Sequence, residues 1–129
     1  MNEAAKPRIL VVEDDALLLM ETETILREAG FDIFTANDGR SAVAEINNGE
    51  MVALVTDINL GTGPNGWDVA RLARETRPEL PVVYVSGEHS PEWTARGVPN
   101  SIMVAKPYAP AQLVTAIATL LNAAGPATS

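Results

Sequence analysis

Six side chains in this chain have the types to do chemistry together if the fold gathers them. Three are consecutive acids, Glu13, Asp14 and Asp15, directly after the apolar run Ile9-Leu10-Val11-Val12. Asp57 follows a second apolar run, Ser86 a third, and Lys106, itself followed by Pro107, a fourth. Several carboxylates at close range repel one another, so they need a cation or must stay partly protonated. Donor sets made only of oxygen suit Mg²⁺, Mn²⁺ or Ca²⁺ better than zinc. Mg²⁺ commonly takes one or two carboxylates and keeps its other positions for water and phosphate oxygens. A carboxylate can also be a covalent nucleophile and form an aspartyl phosphate. A metal ion and Lys106 would then neutralise charge on the transferring group, and the Ser86 hydroxyl could donate to one of its oxygens.

The elements that must position these groups can be read along the chain. Short, continuous, β-branched runs fit strands buried on both faces. They occur at 8–12, 31–36, 52–56, 82–85 and 102–105. Helical patterns fall between them. The first covers 16–29, with Leu18, Thr22, Ile25, Leu26 and Ala29 as its stripe and Gly30 as C-cap. Others cover 41–47 and 67–76, and a last one opens at Pro110 with Leu113, Ala116, Ile117, Leu120 and Leu121 as its stripe. Between Gly87 and Asn100, Pro91 suits a first helical turn, but Gly97 and Pro99 stop it early, so a short or labile fourth helix is predicted. Alternating strands and helices imply an α/β fold with a parallel sheet. The doubly wound, flavodoxin-like order for five strands is 2-1-3-4-5. That order puts a site at the carboxyl ends of strands 1 and 3, where the acids and Asp57 stand.

The motifs ILVVEDD, LVTDINL, VVYVSG and VAKPY, in this order and spacing, resemble the receiver domains of bacterial two-component response regulators. The similarity covers roughly 8–122. Each motif alone is weak; four of them, each at its own strand end, are specific. The resemblance implies that Asp57 is the phosphoacceptor, with a histidine kinase or histidine phosphotransfer protein as donor. It implies Mg²⁺, with Mn²⁺ as a substitute, held by Asp14, Asp57 and the backbone carbonyl of Asn59, and by Glu13 through water. It casts Ser86 as the hydroxyl that turns toward the phosphoryl group, Lys106 as its partner cation, and Lys106-Pro107 as a cis peptide. It implies no enzymatic activity beyond self-catalysed phosphorylation and dephosphorylation.

Three features depart from the family pattern. The loop 61–66 is about one residue longer than usual and lacks the usual proline four residues after the acceptor. Many receivers carry an aromatic residue three before the lysine, whose rotation reports phosphorylation. Met103 stands there, which puts that switch in doubt, and Tyr84 and Tyr108 are the candidates to replace it. The segment from 87 to 100 is short for a fourth helix, on a face that often binds partners in the family.

Each residue also has an ordinary reading. Asp57 alone could cap a loop, the acids could be a solvated run favoured by a helix dipole, and Lys106 could be a surface lysine. Asp15 fits the ordinary reading, as an N-cap. His89, the lone histidine, reads as an exposed loop residue, and Trp67 and Trp93 read as packing residues, with Trp93 a possible mark of a partner surface. The glycine-rich loop 61–66 lacks the lysine and spacing of a P-loop and reads as a flexible turn. Two other functions compete. A Mg²⁺-dependent phosphatase would carry a second acid two residues after its nucleophile, where this chain has Asn59. A phosphate-independent, receiver-like binding module would not need the full set of acids, hydroxyl and lysine.

The bulk properties bound the rest. A length of 129 residues suits one domain, with a core at 8–122 and flexible ends at 1–7 and 124–129. The net charge of −8 disfavours nucleic acid and anionic membranes as direct partners. The chain has no cysteine, which excludes disulfides and thiolate metal sites. With no signal-peptide pattern and no membrane-length apolar run, a cytoplasmic location is expected.

Overall fold

The computed structural model describes residues 6–87 and 90–124. Strands β1 (Arg8–Val12), β2 (Asp32–Ala36), β3 (Ala53–Asp57), β4 (Val82–Ser86) and β5 (Ile102–Ala105) alternate with helices α1 (Ala16–Glu28), α2 (Gly39–Asn48), α3 (Gly66–Thr76), α4 (Ser90–Arg96) and α5 (Pro110–Ala124). All pairings are parallel and the sheet order is β2-β1-β3-β4-β5. The predicted order and fold class are therefore those observed. Parallel neighbours need helical crossovers, which cover both faces of the sheet. Every residue of β3 and β4 is buried in consequence.

Successive side chains of a strand point to opposite faces, and the two cores follow that period. Leu10, Val12, Leu54, Val82 and Tyr84 face α2, α3 and the α4–β5 connection, where Ile46, Trp67, Val69 and Val98 meet them. Ile9, Val11, Val55, Val83 and Val85 face α1 and α5, where Leu26, Leu113 and Ile117 close the second core. Each face buries several fully enclosed aliphatic side chains, each contributing about 1.5–3 kcal/mol of transfer free energy.

Several local expectations change. Helix α1 buries Thr22 and Leu26 and packs Leu19 and Ile25 against the core, while Ala29 is exposed and Leu18 only half-buried. A helix between a sheet and α5 turns its stripe by the tilt of its packing, which a period count does not carry. Its C-cap is Ala29, and Gly30 follows with a φ of 103°, the left-handed position that ends the helix. Asp15 is the N-cap and accepts from the N–H groups of Leu17 and Leu18. Helix α2 starts at Gly39, two residues earlier than predicted, because the Asp38 carboxylate accepts from the Ser41 N–H. Helix α4 is a seven-residue helix, as short as predicted. His89 lies outside the described residues.

Candidate functional site

The strand order reverses between β1 and β3, and the carboxyl ends of these two strands lie side by side, with Val12 paired to Thr56. Asp57 is the last residue of β3 and its neighbour on β4 is Val85, one residue before Ser86. Ser86 in turn pairs with Ala105, one residue before Lys106. Register alone therefore brings Glu13, Asp14, Asp57, Ser86 and Lys106 to one edge of the sheet. Carboxylate oxygens of Glu13, Asp14 and Asp57 all lie within 4.8 Å of one another.

Each acid has a different setting. Glu13 is 5% exposed and Asp57 9%, whereas Asp14 opens to solvent. The Asp57 Oδ1 accepts from the Ile58 N–H at 2.7 Å, which fixes the carboxylate plane, and its Oδ2 lies 3.3 Å from the Lys106 Nζ. Lys106 also donates to the Glu13 Oε1 at 3.1 Å, and the Glu13 Oε2 accepts from the Asp15 N–H at 3.2 Å. Lys106 bridges two acids from two different strands, and the following Lys106-Pro107 peptide is cis. Ser86 is 2% exposed, and its carbonyl accepts from the Lys106 N–H at 2.9 Å. Asn59 is exposed just beyond Asp57.

The electrostatics follow from this crowding. Burial, then the charge of Asp57, push the Glu13 carboxyl up to about 7, against the lowering effect of the Asp15 N–H and Lys106. Burial pulls the Lys106 ammonium down. Its hydrogen bond to Glu13 and the charges of Asp57 and Glu13 outweigh that, and the net shift is upward. One ammonium is thus spread over an acidic group of three, which leaves an excess of negative charge that a divalent cation would relieve. The oxygen-only donor set and the exposed side at Asp14 fit such an ion.

The last two residues of the loop after Asp57, Asn65 and Gly66, are hydrogen-bonded to their surroundings. The Gly66 N–H donates to the Ile58 carbonyl at 2.8 Å. Asn65 and Asp68 form a reciprocal capping box at the start of α3. A Cβ on Gly66 would collide with the Asp57 carbonyl oxygen, so glycine is what allows α3 to start against the acceptor strand.

A feature not anticipated from the sequence adjoins the site. An apolar groove of about 790 Å³ runs between α1 and the β5–α5 connection, lined by Leu17, Leu18, Met20, Lys106, Pro107 and Tyr108 among others. Leu17 is 64% and Met20 63% exposed. The available signal was that both lie off the buried stripe of α1. Tyr108 is held at the groove by a hydrogen bond of 2.9 Å between its hydroxyl and that of Thr22.

Comparison with known proteins gives the same frame. The family model for the response regulator receiver domain matches residues 9–118. The chain belongs to the response regulator receiver domain family. A crystal structure of a response regulator receiver protein from Sinorhizobium medicae superposes with a TM-score of 0.90 at 41% identity, covering 93% of this receiver domain and 98% of that chain. A CheY-like receiver domain protein from Methanospirillum hungatei gives 0.82 at 27% identity, over 93% and 97%. The transcriptional regulatory protein PrrA of Mycobacterium bovis is 32% identical over 121 residues, which are 92% of this chain and 52% of PrrA. This receiver domain thus spans about half the length of the curated relatives it matches. Those relatives carry the names of transcriptional regulatory proteins. Among the described residues no helix is long and apolar enough to cross a membrane.

Proposed function

We propose that this receiver domain is a phosphorylation-dependent switch in which Asp57 accepts a phosphoryl group from a histidine kinase or a histidine phosphotransfer protein. The observation that carries the reading is the juxtaposition of Glu13, Asp14 and Asp57 within 4.8 Å, with Lys106 bridging Glu13 and Asp57. The Ile58 N–H holds one oxygen of Asp57 in place, and the other is the nucleophile. That oxygen attacks phosphorus, a P–O bond forms, the P–N bond to the donor imidazole breaks, and the imidazole leaves with the electron pair. Lys106, already 3.3 Å from Asp57, offsets the charge of the group as it arrives. Ser86, at the end of the neighbouring strand, donates to a phosphoryl oxygen. Asp14, Asp57 and the Asn59 carbonyl would hold Mg²⁺, with Glu13 reaching it through water; when bound, the ion neutralises the phosphoryl oxygens. Mn²⁺ would serve in its place.

The donor is a protein, and the exposed apolar groove touches the site through Lys106 and Pro107. We assign that groove to the donor's docking surface, because continuity with the site would bring a histidine beside Asp57. The net charge of −8 supports a protein rather than nucleic acid as the direct partner of this domain.

The test is intact mass after incubation with acetyl phosphate, with and without Mg²⁺. Wild type gains one phosphoryl group only with the ion, and Asp57→Ala gains none. Equal labelling of Asp57→Ala would refute the assignment. Tight partner binding that ignores phosphorylation would instead favour the phosphate-independent module.

A further inference from the structure

A switch needs a physical link between its acidic site and its responding face, and Met103 occupies the place of the aromatic side chain that often supplies one. The aromatic ring of this chain stands one strand over. Tyr84 pairs in register with Met103, and both pack in the core under α2, α3 and α4. Tyr84 is fully buried, its ring centroid 4.8 Å from that of Trp67 at an interplanar angle of 54°. The ring is packed on all sides, so turning it outward would mean opening the core around it.

Its hydroxyl has a definite partner. It accepts from the Val98 N–H at 3.0 Å, fourteen residues along the chain and beyond α4. The Val98 carbonyl accepts from the Ser101 hydroxyl at 2.7 Å, and the Ser101 hydroxyl accepts from the Trp93 Nε1 at 2.9 Å. Trp93 belongs to α4, and Gly97 gives its indole room, since a Cβ there would collide with the ring. Tyr84, Val98 and Ser101 are all buried. Tyr84 lies two residues before Ser86 on the same face of β4. A buried N–H is costly to leave unpaired, so Val98 must follow a displacement of Tyr84 or lose its partner.

We propose that Tyr84 is a fixed strut, and that the chain Tyr84–Val98–Ser101–Trp93 carries the state of the Asp57 site to α4. This rests on the phosphoacceptor reading. Loading of the site draws the Ser86 end of β4 inward. The stiff strand moves the Tyr84 hydroxyl with it, and the connection after α4 adjusts together with the Trp93 indole. Tyr84 is a positioning residue in this device and touches no reacting atom.

The experiment is residue-resolved NMR with amide hydrogen exchange, on the full chain with Mg²⁺ alone and with Mg²⁺ plus beryllofluoride as the phosphoryl mimic. Three proteins are compared: wild type, Tyr84→Phe, which keeps the ring and deletes the hydroxyl, and Ser101→Ala. In wild type, loading shifts the amides around Asp57 and Lys106, changes exchange at Val98 by about tenfold, and shifts the Trp93 indole N–H. In Tyr84→Phe the shifts around Asp57 and Lys106 persist, while the responses at Val98 and Trp93 are lost. In Ser101→Ala the Val98 response remains and the Trp93 response is lost. The proposal is overturned if the site loads in wild type and neither Val98 nor Trp93 responds, or if Tyr84→Phe relays the change as wild type does. Absence of any shift around Asp57 would overturn the phosphoacceptor reading itself, and the strut with it.

Discussion

Lys106 and Glu13 set the resting balance of the site. Glu13 stands at about 7 when folded, above its ordinary value of 4.5, so the folded metal-free protein holds a proton that the unfolded chain releases. The stability from this group is whole below about pH 4.5 and is lost as pH rises through about 7. Thermal melts of metal-free protein from pH 5 to 8 should show this loss, and Glu13→Gln, with no proton to lose, should flatten that part of the profile. A Glu13→Gln curve parallel to wild type would contradict the shift. Lys106 makes the complementary case. Its ammonium bridges Glu13 and Asp57, so Lys106→Met removes the charge that meets the incoming phosphoryl group. Phosphorylation by acetyl phosphate should slow by about 10²-fold or more. Stopped-flow rates within twofold of wild type would remove Lys106 from the chemistry.

Among the elements, α1 carries two separate faces. Thr22 and Leu26 bury against the sheet, whereas Leu17 and Met20 stand out beside the site. Leu17→Asp and Met20→Asp leave the buried stripe untouched, so folding should change by no more than about 0.5 kcal/mol. Transfer from a phosphorylated histidine donor should fall by at least tenfold, while labelling by acetyl phosphate stays as in wild type. Equal loss with both donors would place the effect in the site and not in docking. The same helix shows what a sequence discloses. Ala16 to Glu28 and its Asp15 cap were legible, because capping chemistry and a 3.6-residue period are local. The choice of Leu19 over Leu18 as the packing residue was not, because it depends on how α1 sits against β2 and α5. The site was legible for a related reason: an acid, a hydroxyl or a lysine at the end of a buried strand is a local pattern, and parallel topology does the gathering. The Tyr84–Val98 bond spans fourteen residues between elements and has no local mark. In the loop 61–66 the Asn65–Asp68 box is a local pattern at i, i+3 spacing, whereas the tie from Gly66 to Ile58 forms only when α3 docks on β3 and has no local mark.

At the scale of the molecule, the fold itself holds the repelling charges together. Packing on both faces of the sheet forces Glu13, Asp14 and Asp57 within 4.8 Å, and the resulting repulsion is a standing cost in the absence of a cation. An ion that binds this arrangement and not the unfolded chain must stabilise the whole domain by mass action. At a free concentration 100 times its dissociation constant, Mg²⁺ should add about 2.7 kcal/mol. For a domain of this length that raises the melting temperature by about 10 °C. Scanning calorimetry in Mg²⁺ against a chelator measures the difference directly. Asp14→Ala should abolish most of it, since Asp14 is the open, solvent-facing member of the cluster. The same substitution also relieves repulsion, so the chelated variant should melt at or above chelated wild type. That crossing, a variant more stable without the ion and less stable with it, separates a metal site from a merely acidic edge. A melting temperature in Mg²⁺ no higher than in chelator would mean that the three carboxylates do not hold the ion. Charge neutralisation at Asp57 would then fall to Lys106 alone.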